Sequence, residues 1–348
     1  MRTDQWRAIR ARALSVCTSL ALVLAVSAPL AGAPSAWAAG WSATNSLPLP
    51  LQNHIAVAAG MYYFIAGGIN ANGEQTGVYS AFVGSDGVLG PWHAQNPLPQ
   101  PLLNHAAIVQ QGYVVITGGQ RSNGEYPTVY TAAIGMGGML RPWNTTTPLP
   151  QPLFDHASVA RGGWIWTVGG FGQDFRPRNV VYAAQQNGGS VGAWASETPL
   201  PQRLGEMGAA LANDHIYVAG GRGANGIEQA TVYEAPILGN GALGAWVTLP
   251  ALPGTRWDPG VVTAGGYLWV IGGYTRNPSG VPTKTNTVFR APLNPDGTIG
   301  AWQSALPLPG GVAEHTVTVA RGFLFVAGSK IGPLGGSPTI YDAPYGLI

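Results

Sequence analysis

Apolar and polar positions in this chain alternate in short runs, each bounded by glycine or proline. HAAIVQQ (105–111) and YVVITGG (113–119) show the pattern, six or seven residues that alternate or run apolar and then turn. Runs of that length predict strands, because an amphipathic helix needs a longer stripe recurring every three or four residues. TVYTAAI (128–134) and MLRPWNT (139–145) follow, so residues 105–145 read as four short strands in sequence. Asp86-Gly87, Asn240-Gly241 and Asp296-Gly297 stand between third and fourth strands. Such pairs supply the positive φ that a tight hairpin requires.

The four-strand unit recurs. Trp41, Trp92, Trp143, Trp194, Trp246 and Trp302 are spaced 51, 51, 51, 52 and 56 residues apart. After each comes a Pro-rich link, as in NPLPQPLLN (96–104), then an apolar run, then a double glycine. Those pairs are Gly67-Gly68, Gly118-Gly119, Gly169-Gly170, Gly220-Gly221 and Gly272-Gly273, with Gly328-Ser329 in sixth place. An aromatic follows each: Tyr79, Tyr130, Tyr182, Tyr233, Phe289 and Tyr341. Four strands per period of about 40 to 55 residues indicate a propeller blade, which cannot bury both faces alone and must stack in a ring. The strand-four tryptophans, Trp92 and Trp143 among them, are expected between blades.

Composition agrees. The chain holds 51 Gly and 29 Pro among 348 residues, and only 9 % are charged. That excludes helical bundles and coiled coils, which need long Gly- and Pro-free stretches and a charged outer face. Apolar content of 46 % with 12 Trp excludes disorder.

The double glycine, the following aromatic and the Trp of strand four together resemble the kelch repeat, from Trp41 to Tyr341. The aromatic precedes the Trp by 12 or 13 residues, against roughly six in the usual motif, and the longer hairpin resembles secreted bacterial kelch proteins. The resemblance implies an all-β, six-bladed kelch-type β-propeller. The last unit lacks its own Trp strand, and an unpaired one, WSATNSLPLP (41–50), stands at the other end. It is expected to close the sixth blade beside Tyr341.

Residues 1–38 read as a secretory signal peptide: Arg2, Arg7, Arg10 and Arg12, an apolar stretch from Ala13 to Leu30, then Ala36-Trp37-Ala38 before a cleavage point at Ala39. An uncleaved membrane anchor is the competing reading. Residues 39–348 are then a single exported propeller, expected to be a monomer. Cleavage would remove Cys17, the only cysteine, and with it any thiol nucleophile, disulfide or cysteine metal site. Loss of those four arginines and Asp4 turns 17 basic and 15 acidic residues into 13 and 14, a net charge of −1. That balance gives no basis for nucleic-acid binding.

Loops joining strand four to strand one, and strand two to strand three, share one face of a propeller. That face carries 17 of the 27 remaining charges, including Arg121, Arg222 and Arg276. Fourteen residues before each double glycine stand Asn53, Asn104, Asp155, Glu206, Asp258 and Glu314, and the next positions hold His54, His105, His156, Met207, Pro259 and His315. Neighbouring strand residues point to opposite sides. One row is therefore expected at the channel mouth, the acidic and amide row if the histidines pack structurally. Four carboxyl groups there would repel by about 2 kcal/mol per pair at roughly 8 Å. Arginine partners, a raised carboxyl pKa or a bound calcium ion would relieve this; no calcium-loop motif is present, and no cofactor is implied. Phe154 and Trp257 precede Asp155 and Asp258, and rings beside such groups suit sugar binding or a protein hot spot.

Kelch activities can be tested by residue. A copper-radical oxidase needs a cysteine crosslinked to tyrosine, which a cleaved chain lacks, and the Glu-x-x-x-Asp-x-x-x-His iron run of specifier proteins does not occur. Bacterial sialic acid mutarotases, six-bladed kelch proteins, use Glu and Arg in the mouth; Glu206 with Arg222 or Arg203 would fill those parts here, with Glu206 as acid/base. The expectation is a binder of a glycan or an extracellular protein, with a small sugar mutarotase or isomerase as the alternative.

Overall fold

In the second strand of every unit nearly all residues are apolar, because that strand lies mid-sheet with both faces covered by neighbouring sheets. Tyr63, Ile65, Trp269 and Phe325 on these strands have no exposed surface. The computed structural model describes residues 40–332 and 335–348, and the expected signal segment lies outside them.

Six antiparallel sheets follow in chain order. Blade 1 comprises Ile55–Ala59, Tyr62–Ala66, Val78–Val83 and Leu89–Ala94. Blade 2 comprises Ala106–Gln110, Tyr113–Thr117, Val129–Ala133 and Asn144–Thr145. Blades 3, 4 and 5 begin at Ala157, Gly208 and Gly260. The first strands of the six blades touch one another in a closed cycle around a central channel.

Blade 6 combines Thr316–Ala320, Phe323–Ala327 and Ile340–Pro344 with Ser42–Ala43 from the other end of the chain, in the register Ser42↔Asp342 and Ala43↔Tyr341. The ring is therefore closed as expected, by the N-terminal strand. The links confirm the equivalence. In each, a buried leucine donates its N–H to the loop before strand three: Leu98 to Thr76, Leu149 to Pro127, Leu200 to Asn179, Leu252 to Ala230 and Leu308 to Asn286. Leu47 does the same for blade 6, donating to Pro338 at 2.7 Å.

Two expectations change. The outer strand of blade 2 is only Asn144–Thr145, shorter than 139–145, because an outer strand pairs on one side only. The tryptophans are half-buried at the rim, not enclosed between blades. Their role is to stitch neighbours together: the indole N–H of Trp143 donates to the Asn96 carbonyl, Trp194 to Thr147, Trp246 to Thr198, Trp302 to Pro250 and Trp41 to Leu306, at 2.9–3.1 Å. A fully buried Trp costs roughly 3–5 kcal/mol when cut to Ala. For half-buried Trp143→Ala, with one hydrogen bond lost, denaturant unfolding should show a loss of about 2–3 kcal/mol. A loss under about 1 kcal/mol would mean that the stitch contributes little.

Candidate functional site: the channel mouth

Where each link enters a first strand, the backbone makes one left-handed step. Asn53, Asn104, Asp155, Glu206, Asp258 and Glu314 have φ between 48° and 55°. Asn and Asp adopt this conformation readily, whereas glutamate does so at a cost of about 1–2 kcal/mol. The step also aligns the main chain across blades. Asn104 donates its N–H to the Asn53 carbonyl, Asp155 to Asn104, Glu206 to Asp155, Asp258 to Glu206 and Asn53 to Glu314, at 2.8–3.2 Å. The six side chains surround the mouth of a cavity of about 230 Å³, lined further in by the starts of the first strands.

The following row is wedged between blades. The His105 ring lies against Gly67 of blade 1, where a Cβ would stand 2.8 Å from Cε1 and 2.6 Å from the Leu102 carbonyl. His54 lies likewise on Gly328, His156 on Gly118 and His315 on Gly272, while Met207 fills the same place on Gly169. Gly68 admits the His54 Cβ on its own blade. The double glycine thus exists for two close approaches, one to each neighbouring inner strand, and both at positive φ. Burial holds His54 and His105 down to about 3, and His156 and His315 to about 4. These histidines are structural, and the acidic and amide row faces the mouth.

Two of the four carboxylates have cations. Glu206 pairs with Arg222 at 3.0 Å, and Glu314 with Lys330 at 2.8 Å while accepting a 3.3 Å bond from the Tyr274 hydroxyl. Exposed Arg203 takes no part in the Glu206 pair. Asp155 and Asp258 carry the remaining repulsion. Burial, then the neighbouring carboxylates, push both well above the usual carboxyl range, and Arg222 opposes this only in part. Two of the three expected remedies, cationic partners and raised pKa values, therefore operate on different members of one ring. Among the described residues no group of three or more His, Cys, Asp or Glu is arranged to hold a metal ion.

The aromatic rim differs from expectation. Phe154 and Trp257 are each only 4 % exposed, so neither offers a ring face to a ligand. Each stacks on a ring of the following loop, Phe154 on Phe171 at 5.5 Å and Trp257 on Tyr274 at 5.1 Å. The links there pair with those loops, Phe154 with Phe171 and Trp257 with Tyr274, which draws the rings inward. Trp257 supports the site from beneath, with the Arg222 guanidinium 4.9 Å from its ring centre. Arg276 lies over the same ring, paired with Glu228 at 3.0 Å, and Arg121 stacks on Tyr126 at 3.8 Å; neither lines the cavity. Arg256, counted by its sequence position among the charges of this face, is buried and bonded to the Gly272 carbonyl and the Thr287 hydroxyl. Tyr274 and Lys330 were missed as mouth residues, because nothing in their local sequence marks them as partners of Glu314.

No family model matches the chain. It is 23 % identical over 246 residues to kelch-like protein 40 of Mus musculus, covering 69 % of this chain and 37 % of that protein. The Homo sapiens counterpart is 25 % identical over 259 residues, covering 72 % and 39 %. Beta-scruin of Limulus polyphemus is 22 % identical over 258 residues, covering 67 % and 26 %. The chain belongs to the kelch-repeat β-propellers. This kelch propeller spans little more than a third of the length of the first of those relatives. Among solved structures, that of YjhT superposes with a TM-score of 0.71 at 14 % identity, covering 85 % of this chain and 95 % of YjhT, which shows a shared fold. Kelch propellers bind proteins or ligands in general, so the mouth of this one must be read from its own side chains.

Proposed function

We propose that this kelch propeller is an exported binding module that holds the hydroxyl-rich end of a glycan in its channel mouth. Export rests on the basic and apolar pattern of residues 1–38. The observation that supports the ligand class is the ring itself: four carboxyl and two amide side chains around one cavity of about 230 Å³. Small-molecule pockets span roughly 300–1,000 Å³, so this one suits a single sugar ring better than an extended ligand. Hydroxyls both donate and accept. The amides of Asn53 and Asn104 do the same, as do Asp155 and Asp258 whenever they carry a proton. With Phe154 and Trp257 buried, recognition falls on hydrogen bonding, and a protein partner lacks the aromatic anchors that hot spots favour.

An enzymatic reading, a sugar mutarotase or isomerase, draws on one further observation. Asp155 and Asp258 are driven toward the protonated form beside ion-paired Glu206, and carboxyl groups pushed apart in this way mark acid and base roles. On that reading either Asp155 or Asp258 is the acid.

Glu206→Gln should lower affinity in a glycan screen by about tenfold or more, equivalent to about 1.4 kcal/mol. Arg161→Ala on the opposite face, where Arg161 meets Asp214 in an exposed pair, should leave it unchanged. Equal loss in both variants, or none in Glu206→Gln, would overturn the mouth as binding site. Asp155→Asn and Asp258→Asn separate binder from enzyme: an enzyme loses turnover with affinity kept, and a binder has no turnover to lose.

A further inference from the structure

Each link passes over the aromatic of the third strand it precedes, and in five blades a link side chain covers that region. Gln100 meets the Tyr130 hydroxyl. Gln151 donates to the Tyr182 hydroxyl at 2.7 Å, and Gln202 to Thr231 at 2.9 Å beside Tyr233. Before blade 1, Leu49 and Tyr79 pack into one apolar cluster. Blade 5 has Gly254 at this position, but Arg256 lies over Phe289 with 4.6 Å to its centre.

Blade 6 departs from the series. Its link carries Gly310 and Gly311, so no side chain reaches Tyr341, and a cleft of about 160 Å³ stands there. Its walls include Ile331, Ser337, Thr339 and Tyr341. A short chain of contacts ties it to the mouth. Lys284, also in the wall, donates to the Lys330 carbonyl at 2.9 Å, and the Lys330 ammonium pairs with Glu314 of the ring at 2.8 Å.

We infer that the cleft over Tyr341 is a second subsite, which takes the next sugar ring of an oligosaccharide whose terminal unit occupies the mouth. The inference rests on the reading of the mouth as a glycan site. A half-buried tyrosine presents an apolar ring with a polar tip, and the hydroxyls of Ser337 and Thr339 stand on one wall, which together suit a pyranose. The missing glutamine side chain is what leaves the room. A ligand ring would take the place that Gln151 takes over Tyr182.

The test restores the missing side chain. Nothing lies within 4 Å of a Cβ built on Gly310, so Gly310→Gln should fold, as a thermal melt will verify. Calorimetry would use N-acetylglucosamine and its β-1,4-linked di- to tetramers, alongside the maltose and cellobiose series. The expected result is a gain of about tenfold from monomer to dimer in the native protein, lost in Gly310→Gln with monomer affinity unchanged. Gly310→Ala should keep the gain. If the native protein binds monomers with no gain on lengthening, or if Gly310→Gln keeps the gain, the subsite is wrong and the mouth reading stands. If neither protein binds any saccharide and a wide glycan screen is also blank, the mouth reading fails and takes the subsite with it. Should Gly310→Gln not fold, a crystal of the native protein soaked with the tetramer decides: density over Tyr341 supports the subsite, and a chain leaving the mouth elsewhere overturns it.

Discussion

Removing residues 40–50 should abolish cooperative folding or drive the protein into aggregates. That segment contributes the outer strand of blade 6, and it also joins blade 6 to both neighbours. Leu47 is 4 % exposed and packs in a cluster with Tyr63 of blade 1 and Phe325 of blade 6. Thr44 accepts the Leu89 N–H through its hydroxyl, and Trp41 donates to Leu306 of the blade 5 link. Its loss leaves the edge of Ile340–Pro344 unpaired and opens the ring between its first and last blades. The measurement is soluble yield and a calorimetric melt of the truncated chain. An unchanged melting temperature would mean that the ring does not depend on this clasp.

Acid should unfold the protein at pH values that most globular domains tolerate. His54, His105, His156 and His315 are buried with folded pKa values of about 3 to 4, against about 6.5 unfolded. For a base with a depressed folded pKa, the unfolded state takes up protons first. Stability is therefore complete above about pH 6.5 and falls as pH drops through the window down to about 3. By pH 4 each histidine removes roughly 3 kcal/mol, and four together rival the 5–15 kcal/mol of a typical domain. The acids act in the opposite sense. Asp342, raised to about 6 chiefly by burial, contributes stability present below its unfolded value of 3.8 and lost as pH rises through 6. Asp155 and Asp258 also favour the protonated fold. Three acids offset part of the loss from four histidines, so the maximum should lie near neutrality. Urea unfolding from pH 7 to pH 4 checks the slope. His105→Met, which copies what blade 4 carries as Met207, should make it shallower by about one proton. A stability flat across this range would show that the histidines are not the acid-labile element.

Much of the fold was legible because a repeat reports itself six times. One double glycine is ambiguous, but six at the same offset from a Pro-rich link and a Trp leave few alternatives. The closure was legible by subtraction, since one Trp strand was left over at one end and one strand was missing at the other. The carboxyl row was legible for the same reason, its members standing fourteen residues before each glycine pair. Its left-handed backbone had a signal too, as Asn and Asp fill four of the six places, although glutamate at the other two masks it.

What the chain determined alone is therefore local and periodic: strand lengths, hairpin turns, the number of blades and the identity of residues at equivalent positions. What only the tertiary structure decided is which equivalent residues differ in surroundings. Phe154 and Trp257 look like exposed platforms in sequence, yet bridging to Phe171 and Tyr274 buries them. Glu206 and Glu314 acquire cations from loops 16 residues further on, while Asp155 and Asp258 keep the repulsion. The cleft over Tyr341 exists only because the other blades show what should cover it. The physical reason is common to all three. Periodicity fixes where a side chain starts, but burial and charge depend on distances across blades, which no spacing along the chain encodes.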